Sequence, residues 1–474
     1  MQSEKKVTPY VALACFAGAM GGLLFGFDLI VISGAITDLT EFYHLNLAGK
    51  GWAASCALIG CMIGAALAGK ISDAIGRKPV LIGTAILFTI SAVGSGWAEK
   101  MALIPSVGGF LWFVFYRGIG GCAMGAAAGV APIYIAEVGP ARYRGALVTF
   151  YQLAIVLGVI AAQVSNYGIA VHVPQDQWRW MFTAEALPAV LFLLILLAVP
   201  ESPRWLVKRD RSSLALKILC KTEGDETFAR DELTSIQESL ARERVGTRER
   251  RGAILDLFRP EMRRLMLIGL VFGIGSQFTG MTAVLTYAPD IFGEIGGKFA
   301  NPLFQAVLLG FVNFACTFIP ICLVDRVGRK KILHVGLAVM AVTLTLLSVL
   351  SGSSSPNGHV ILILLLTCIG AYAASMASMT WVILAEIFPN RIRGVAMSAA
   401  NLSLWFSAYL TTQFFPVFCG AFGLHVMFAV FAVVCVLINV FVACFVPETK
   451  GRSLEEIEIL LVGSRRGKRS MDRK

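Results

Sequence analysis

"GKISDAIGRKPVLI", Gly69 to Ile82, returns about 250 residues later as "CLVDRVGRKKIL", Cys322 to Leu333, with an acid three residues ahead of Gly-Arg-Lys in both copies. A second pair lies further out: "AEVGPARYRGA" from Ala136 is matched by "AEIFPNRIRGV" from Ala385, and "PESPRW" from Pro200 is echoed by "PETKGR" from Pro447. Three motifs repeating in one order at one period mean a duplicated unit, which has to be recognised before any single motif is interpreted. The fold is therefore two homologous halves.

Composition says what the halves are made of. Of the 474 residues 57% are hydrophobic and 15% charged, and the mean hydropathy is +0.73, far from the balance of a soluble domain. Apolar stretches of roughly 20 residues, the length that crosses a bilayer, recur near 9–33, 52–69, 79–97, 109–136, 146–170, 180–199, 264–290, 302–324, 333–353, 358–385, 395–419 and 423–446. The expected fold is an all-α membrane protein of twelve transmembrane helices, six to a half. Its divisions are an N-terminal six-helix bundle over 1–199, a cytoplasmic helical linker over 200–262, a C-terminal six-helix bundle over 263–446 and a basic cytoplasmic tail over 447–474. "MQSEKK" runs directly into the first span without a cleavage pattern, so that span acts as its own insertion signal.

The net charge of +11 is distributed by side. Lys70, Arg77, Lys78, Arg142, Arg144, Arg326, Arg329, Lys330, Lys331, Arg391 and Arg393 fall on the loops that share a side with the linker and tail, which predicts cytoplasmic termini. The tail "GSRRGKRSMDRK" has the chemistry to touch anionic lipid headgroups, or serves as a solvated segment that fixes topology. The linker stretches "RSSLALKILCKT" and "ETFARDELTSIQESLARERV" have helical spacing and predict short cytoplasmic helices.

No HExxH, paired CxxC or Walker loop is present, so neither an enzyme nor a metal or cofactor is expected. Ten of the eleven cysteines fall in spans and read as small packing residues. "RGIGGCAMGAAAG", Arg117 to Gly129, lies in a span with no strand before it; Gly121, Gly125 and Gly129, like Gly60 and Gly64, recur every four residues and mark close helix packing.

"GRK" after span 2, "PESPRWL" after span 6, "AEIFPNRIRG" after span 10 and "VPETKGRSLEEIE" after span 12 resemble the sugar porter family of the major facilitator superfamily, and its bacterial proton-coupled members in particular. The resemblance implies two bundles that alternate access to a central site, importing a hexose or pentose with protons. A polyol, inositol or modified sugar, a facilitative uniporter, and a non-transporting sugar receptor are the other readings. It also implies a monomer in the plasma (inner) membrane, with no nucleic-acid partner. At the loops, Asp73 with Arg77 and Asp325 with Arg329 are expected to be faced across the halves by Glu137 with Arg144 and Glu386 with Arg393, as a cytoplasmic latch.

For the substrate, similarity to the family places Phe25, Gln152, Gln277, Asn313, Trp381 and Trp405 on sugar-contacting positions. Ser276 and Thr282 take places where the family commonly has longer amides, and Val159 stands where a proton-coupled member carries another glutamine, which implies a roomier pocket. One acid remains. Asp28, in "GGLLFGFDLIVISGA", sits mid-span, where an ionised carboxylate needs a partner and a job. Arg117 is the only basic residue well inside a span, and the resemblance puts the two side by side as the proton-coupling pair. Glu185 is a rival acid that the sequence places toward the outer end of its span.

Overall fold

The computed structural model describes residues 8–104, 106, 108–140, 144–250, 262–295, 301–353, 357–388, 393–448 and 450. The basic tail beyond 450, the linker residues 251–261 and the loop arginines Arg142 and Arg391 lie outside the described residues. No strand occurs among those described.

Nineteen helices are described, and eleven segments among them are long and apolar enough to cross a membrane. In the first half these are α1 (Pro9–Phe42), α2 (Leu47–Ile75), α3 (Arg77–Gly96), α4 (Gly109–Val138), α5 (Arg144–His172) and the broken pair α6 (Gln177–Ala184) and α7 (Ala186–Ala198). The linker holds α8 (Pro203–Lys208), α9 (Ser212–Glu223) and α10 (Glu226–Arg250). The second half holds α11 (Arg263–Phe278), α12 (Met281–Thr286), α13 (Ala288–Ile295), α14 (Pro302–Val327), α15 (Arg329–Ser351), α16 (Gly358–Ala374), α17 (Met376–Ile387), α18 (Arg393–Phe422) and α19 (Leu424–Phe445). The twelfth expected span is α18; Asn401, Ser403, Ser407, Thr411, Thr412 and Gln413 make it less apolar than the other eleven.

Two compact units divide the chain. The first is residues 1–44 with 56–247, and the second is 45–55 with 248–474. The linker helices therefore belong to the first unit, around Leu206, Val207, Ala215, Ile218 and Leu240. One of them, α10, is 25 residues long rather than short.

In the first unit α2 and α4 touch backbone to backbone. A Cβ on Gly121 would lie 2.0 Å from the Ala57 carbonyl oxygen, one on Gly125 2.1 Å from that of Cys61, and one on Gly64 2.1 Å from that of Cys122. The four-residue glycine spacing is the imprint of that contact.

Several expected spans are interrupted. The seventh breaks after Phe278 at Gly280, whose φ of +82° suits glycine and whose missing Cβ leaves 2.2 Å to the Phe431 ring. The tenth breaks at Ser375 (φ −129°, ψ −86°), and the sixth at Glu185. The mean hydropathy of each of these spans stays high in spite of its break, so apolar length alone does not disclose it. Breaks of this kind put half-helix ends and unwound backbone inside a transport domain.

Candidate functional site

Asp28 on α1, Arg117 on α4 and Glu185 at the α6–α7 break meet in the first unit at 0%, 1% and 1% exposure. Arg117 Nη1 pairs with the Asp28 carboxylate, and Nη2 donates to the Asp28 carbonyl at 3.0 Å. The guanidinium also lies 5.4 Å from the centre of the Phe182 ring. Glu185 comes within hydrogen-bonding reach of Asp28. Asp28 Oδ2 and both Glu185 carboxylate oxygens find no donor in the protein. Two carboxylates thus lie beside one guanidinium, and three of their four oxygens have no donor in the protein.

Glu185, discounted in the sequence for its place toward the outer end of its span, is brought beside Asp28 all the same. The break at that residue turns it to Asp28, and α6 packs on α1. A glutamate inside an apolar run is a visible signal, but the break that aims it is not.

In the second unit Thr282 Oγ1 donates to Gln277 Oε1 at 2.6 Å, across the helix break. Tyr372 on α16 hydrogen-bonds Thr282 in turn. Thr282 thereby holds the Gln277 side-chain oxygen across the break. Tyr372 escaped sequence reading because it belongs to a different helix from its partners. Ser276 donates its hydroxyl to the Gly273 carbonyl at 3.0 Å, one turn back in its own helix.

Asn313 is buried on α14, and Trp381 on α17 and Trp405 on α18 are half-buried. In the first unit Phe25 is buried on α1, and Gln152 is exposed on α5.

The repeated loops build the same cluster twice. Arg77 reaches Glu137 through two bonds, Nε at 2.8 Å and Nη2 at 3.1 Å, and Asp73 at 3.0 Å. Arg329 reaches Glu386 at 3.0 Å. Each arginine opens a helix whose first N–H groups are capped by a carboxylate from the next motif. Glu201 accepts from the amides of Arg77 and Lys78 at 3.0 and 3.2 Å, and Glu448 from those of Arg329 and Lys330 at 3.1 and 3.2 Å. Burial pushes the Glu201 carboxyl above its ordinary value, against the pull of those backbone donors. Before each arginine stands a glycine of positive φ, Gly76 at +113° and Gly328 at +97°. A Cβ there would meet the capping carboxylate at 2.2 and 2.8 Å.

The PES and PET echoes are therefore helix caps, a role the sequence signalled by repetition without disclosing its target. The expectation that Glu137 and Glu386 face the Arg77 and Arg329 loops across the halves is corrected: each glutamate pairs inside its own unit. The reason is adjacency within a bundle, because α3 packs on α4 and brings Arg77 to the end of the helix that carries Glu137. The side chains of Arg144, Asp325 and Arg393 lie outside the described residues.

Residues 14–461 match the profile of the family described as Sugar (and other) transporter. The chain belongs to that family. Its relatives include the arabinose-proton symporter of Bacillus subtilis (strain 168), 36% identical over 95% of this chain and 95% of the relative. The D-xylose-proton symporter of Escherichia coli (strain K12) is also 36% identical, over 95% of this chain and 96% of the relative. Among solved structures, the inward-open xylose transporter from E. coli matches with a TM-score of 0.83 at 35% identity, over 95% of this chain and all of that one. The proton:xylose symporter bound to 6-bromo-6-deoxy-D-glucose matches with a TM-score of 0.76 at 36% identity, over 95% of this chain and 99% of that one.

This sugar-family protein is an integral membrane transporter of the major facilitator fold, and not an enzyme. Its Arg77–Glu137 pair is nearly sealed, with side-chain exposures of 9% and 11%. Breaking such a pair from one side leaves an uncompensated charge and costs about 3–5 kcal/mol. Arg77→Leu should therefore lower the thermal midpoint in detergent by several degrees, read by intrinsic fluorescence; a midpoint equal to wild type would contradict the account of this cluster.

Proposed function

We propose that this transporter imports a monosaccharide, a hexose or pentose, together with protons by alternating access, with Asp28, Arg117 and Glu185 as the proton-coupling centre. The observation that carries the reading is the pair of facing, unsatisfied carboxylates beside a single buried guanidinium. One guanidinium balances one carboxylate. The second is either an uncompensated charge, expensive at this depth, or a proton carrier. Loading that proton in one state and releasing it in the other links the pH gradient to whatever ligand favours the same states.

Substrate recognition is assigned to Gln277, held by Thr282, with Asn313, Trp381 and Trp405 in the second unit; in the first unit, taken by itself, Phe25 and Gln152 are the candidate contacts. Amides match the donors and acceptors of a polyhydroxylated ligand, and aromatic faces take its C–H surface. Ser276 makes room. Its small side chain, bonded to its own helix, also favours a second reading in which the ligand is a polyol, inositol or modified sugar. The protein sits as a monomer in the inner membrane with both termini and the lipid-touching basic tail in the cytoplasm.

Uptake of a panel of radiolabelled sugars and polyols into proteoliposomes, with and without an imposed pH gradient, tests the assignment. Accumulation of one monosaccharide above its external level only under the gradient is expected; equilibration alone under both conditions would make the protein a facilitator, and ligand binding without flux a receptor. For the site itself, Gln277→Ala should remove a hydrogen bond of roughly 0.5–1.5 kcal/mol and lower ligand affinity several-fold by equilibrium binding. Unchanged affinity in that variant would remove Gln277 from the site.

A further inference from the structure

Helix α6, which ends at Glu185, is eight residues long and is bounded on both sides by departures from regular helix: Asp176 before it has φ +53°, and the break at Glu185 follows it. So short a helix takes its direction from what it packs on. Whatever fixes α6 therefore fixes where Glu185 points.

The anchor is Arg179, near the start of α6 and 7% exposed. Its Nη1 donates to the Gly96 carbonyl at 2.9 Å and to Glu99 at 2.8 Å, and its Nε donates to Asp176 at 3.4 Å. The guanidinium carbon lies 4.4 Å from the centre of the Trp178 ring, 4.7 Å from that of Phe42 and 5.5 Å from that of Trp97, so aromatic faces add to the hold. Gly96, the last residue of α3, admits α6 to backbone contact: a Cβ there would meet the Arg179 carbonyl oxygen at 2.5 Å and Thr183 Oγ1 at 2.7 Å.

Glu99 closes this assembly from the loop beyond α3. One of its carboxylate oxygens accepts from Arg179 and the other from the hydroxyl of Tyr43, the residue that caps the end of α1. A single carboxylate thus ties together the ends of α1, α3 and α6. Burial pushes the Glu99 carboxyl up, but the hydrogen bonds from Tyr43 and Arg179 outweigh it and hold the group below its ordinary value. Bonds to an ionised partner are the stronger kind.

From Arg179 the helix runs about 9 Å to Glu185. On the way Phe182 sets its ring against the Arg117 guanidinium, and Glu185 then comes within hydrogen-bonding reach of Asp28. We infer that Glu99 is a positioning residue for proton coupling: by clamping Arg179 to the ends of α1 and α3, it holds α6 in the direction that sets Glu185 beside Asp28. The inference rests on the proton-coupling reading and adds to it a residue outside the charge centre.

Glu99 is the residue to change, since its side chain is 33% exposed and its replacement leaves no sealed hole. Glu99→Leu removes both bonds. Glu99→Gln can keep both, with its oxygen on Arg179 and its amide donating to the Tyr43 oxygen. In proteoliposomes loaded with D-xylose, L-arabinose or D-glucose, whichever the wild type accumulates, Glu99→Leu should lower accumulation under an imposed pH gradient about fivefold or more, the scale of a typical coupling between sites. Gradient-free exchange of the same sugar should stay within about twofold of wild type, and Glu99→Gln should recover at least half of the lost accumulation. Should Glu99→Leu yield no folded protein, Tyr43→Phe, which takes one hydroxyl from the clamp, should show the same split at smaller size.

Wild-type accumulation by Glu99→Leu would overturn the inference. Accumulation and exchange falling together, with a lowered thermal midpoint, would overturn it as well, by making the clamp a matter of stability alone. A wild-type protein that accumulates none of these sugars under the gradient would fail the proton-coupling reading itself, and this inference with it.

Discussion

Asp28→Asn is expected to abolish gradient-driven accumulation of substrate while leaving ligand binding and sugar-for-sugar exchange measurable. An asparagine keeps the shape of the side chain and one oxygen for Arg117, but it carries no charge to titrate. Glu185 then remains as the only carboxylate beside the guanidinium, the pair is balanced one to one, and no second acid is left to take up and release a proton. Uptake under an imposed pH difference should fall to simple equilibration. Since an ionised carboxylate near mid-membrane costs roughly 2.5–3.5 kcal/mol even on insertion scales, the empty variant should fold at least as well as wild type. If it still concentrates substrate under the imposed pH difference, Asp28 is a structural ion-pair member.

The largest effect on stability is expected at Gly121. Its hypothetical Cβ meets the carbonyl oxygen, carbonyl carbon and Cα of Ala57 at 2.0, 2.8 and 3.0 Å. All three are backbone atoms of a packed helix and have no rotamer to swing away, so α2 and α4 must separate. With no hydrophobic drive to hold helices together in lipid, the close contact is itself the source of association. Gly121→Leu should lose about 4 kcal/mol or more, the range of exceptional core damage, and should yield little monodisperse protein on size exclusion in detergent. Gly118, on the same helix three residues earlier, has open space where its Cβ would be, so Gly118→Ala should be nearly neutral. A monodisperse Gly121→Leu protein with a wild-type melting midpoint would refute the packing account.

The duplicated architecture was readable because hydropathy and repetition are properties of sequence position. Glycines at four-residue spacing disclosed a face, and the face proved to be the α2–α4 contact. What stayed hidden depends on which helix lies beside which. Glu137 was placed opposite the other half, yet it holds Arg77 of its own bundle, because charge type gives no hint of the neighbour.

Glu185 was discounted by its position along the span, although one break in α6–α7 turns it onto Asp28. Such breaks escape a span-length hydropathy average, since Gly280 and Ser375 interrupt the backbone while the spans that hold them stay apolar on the whole. Ser276 and Thr282 were read together as shortened amides; one bonds its own helix and the other orients Gln277. The difference is a direction in space, fixed by the helix break between them.

Sugar-induced proton movement in proteoliposomes carrying a pH-sensitive dye in the lumen tests the central claim most directly. An inward gradient of the transported sugar, with no pH difference imposed at the start, should acidify the lumen of vesicles holding the wild-type protein, and should leave the dye unchanged with Asp28→Asn. Sugar entry at the wild-type rate with no accompanying acidification would contradict proton coupling through this buried carboxylate pair.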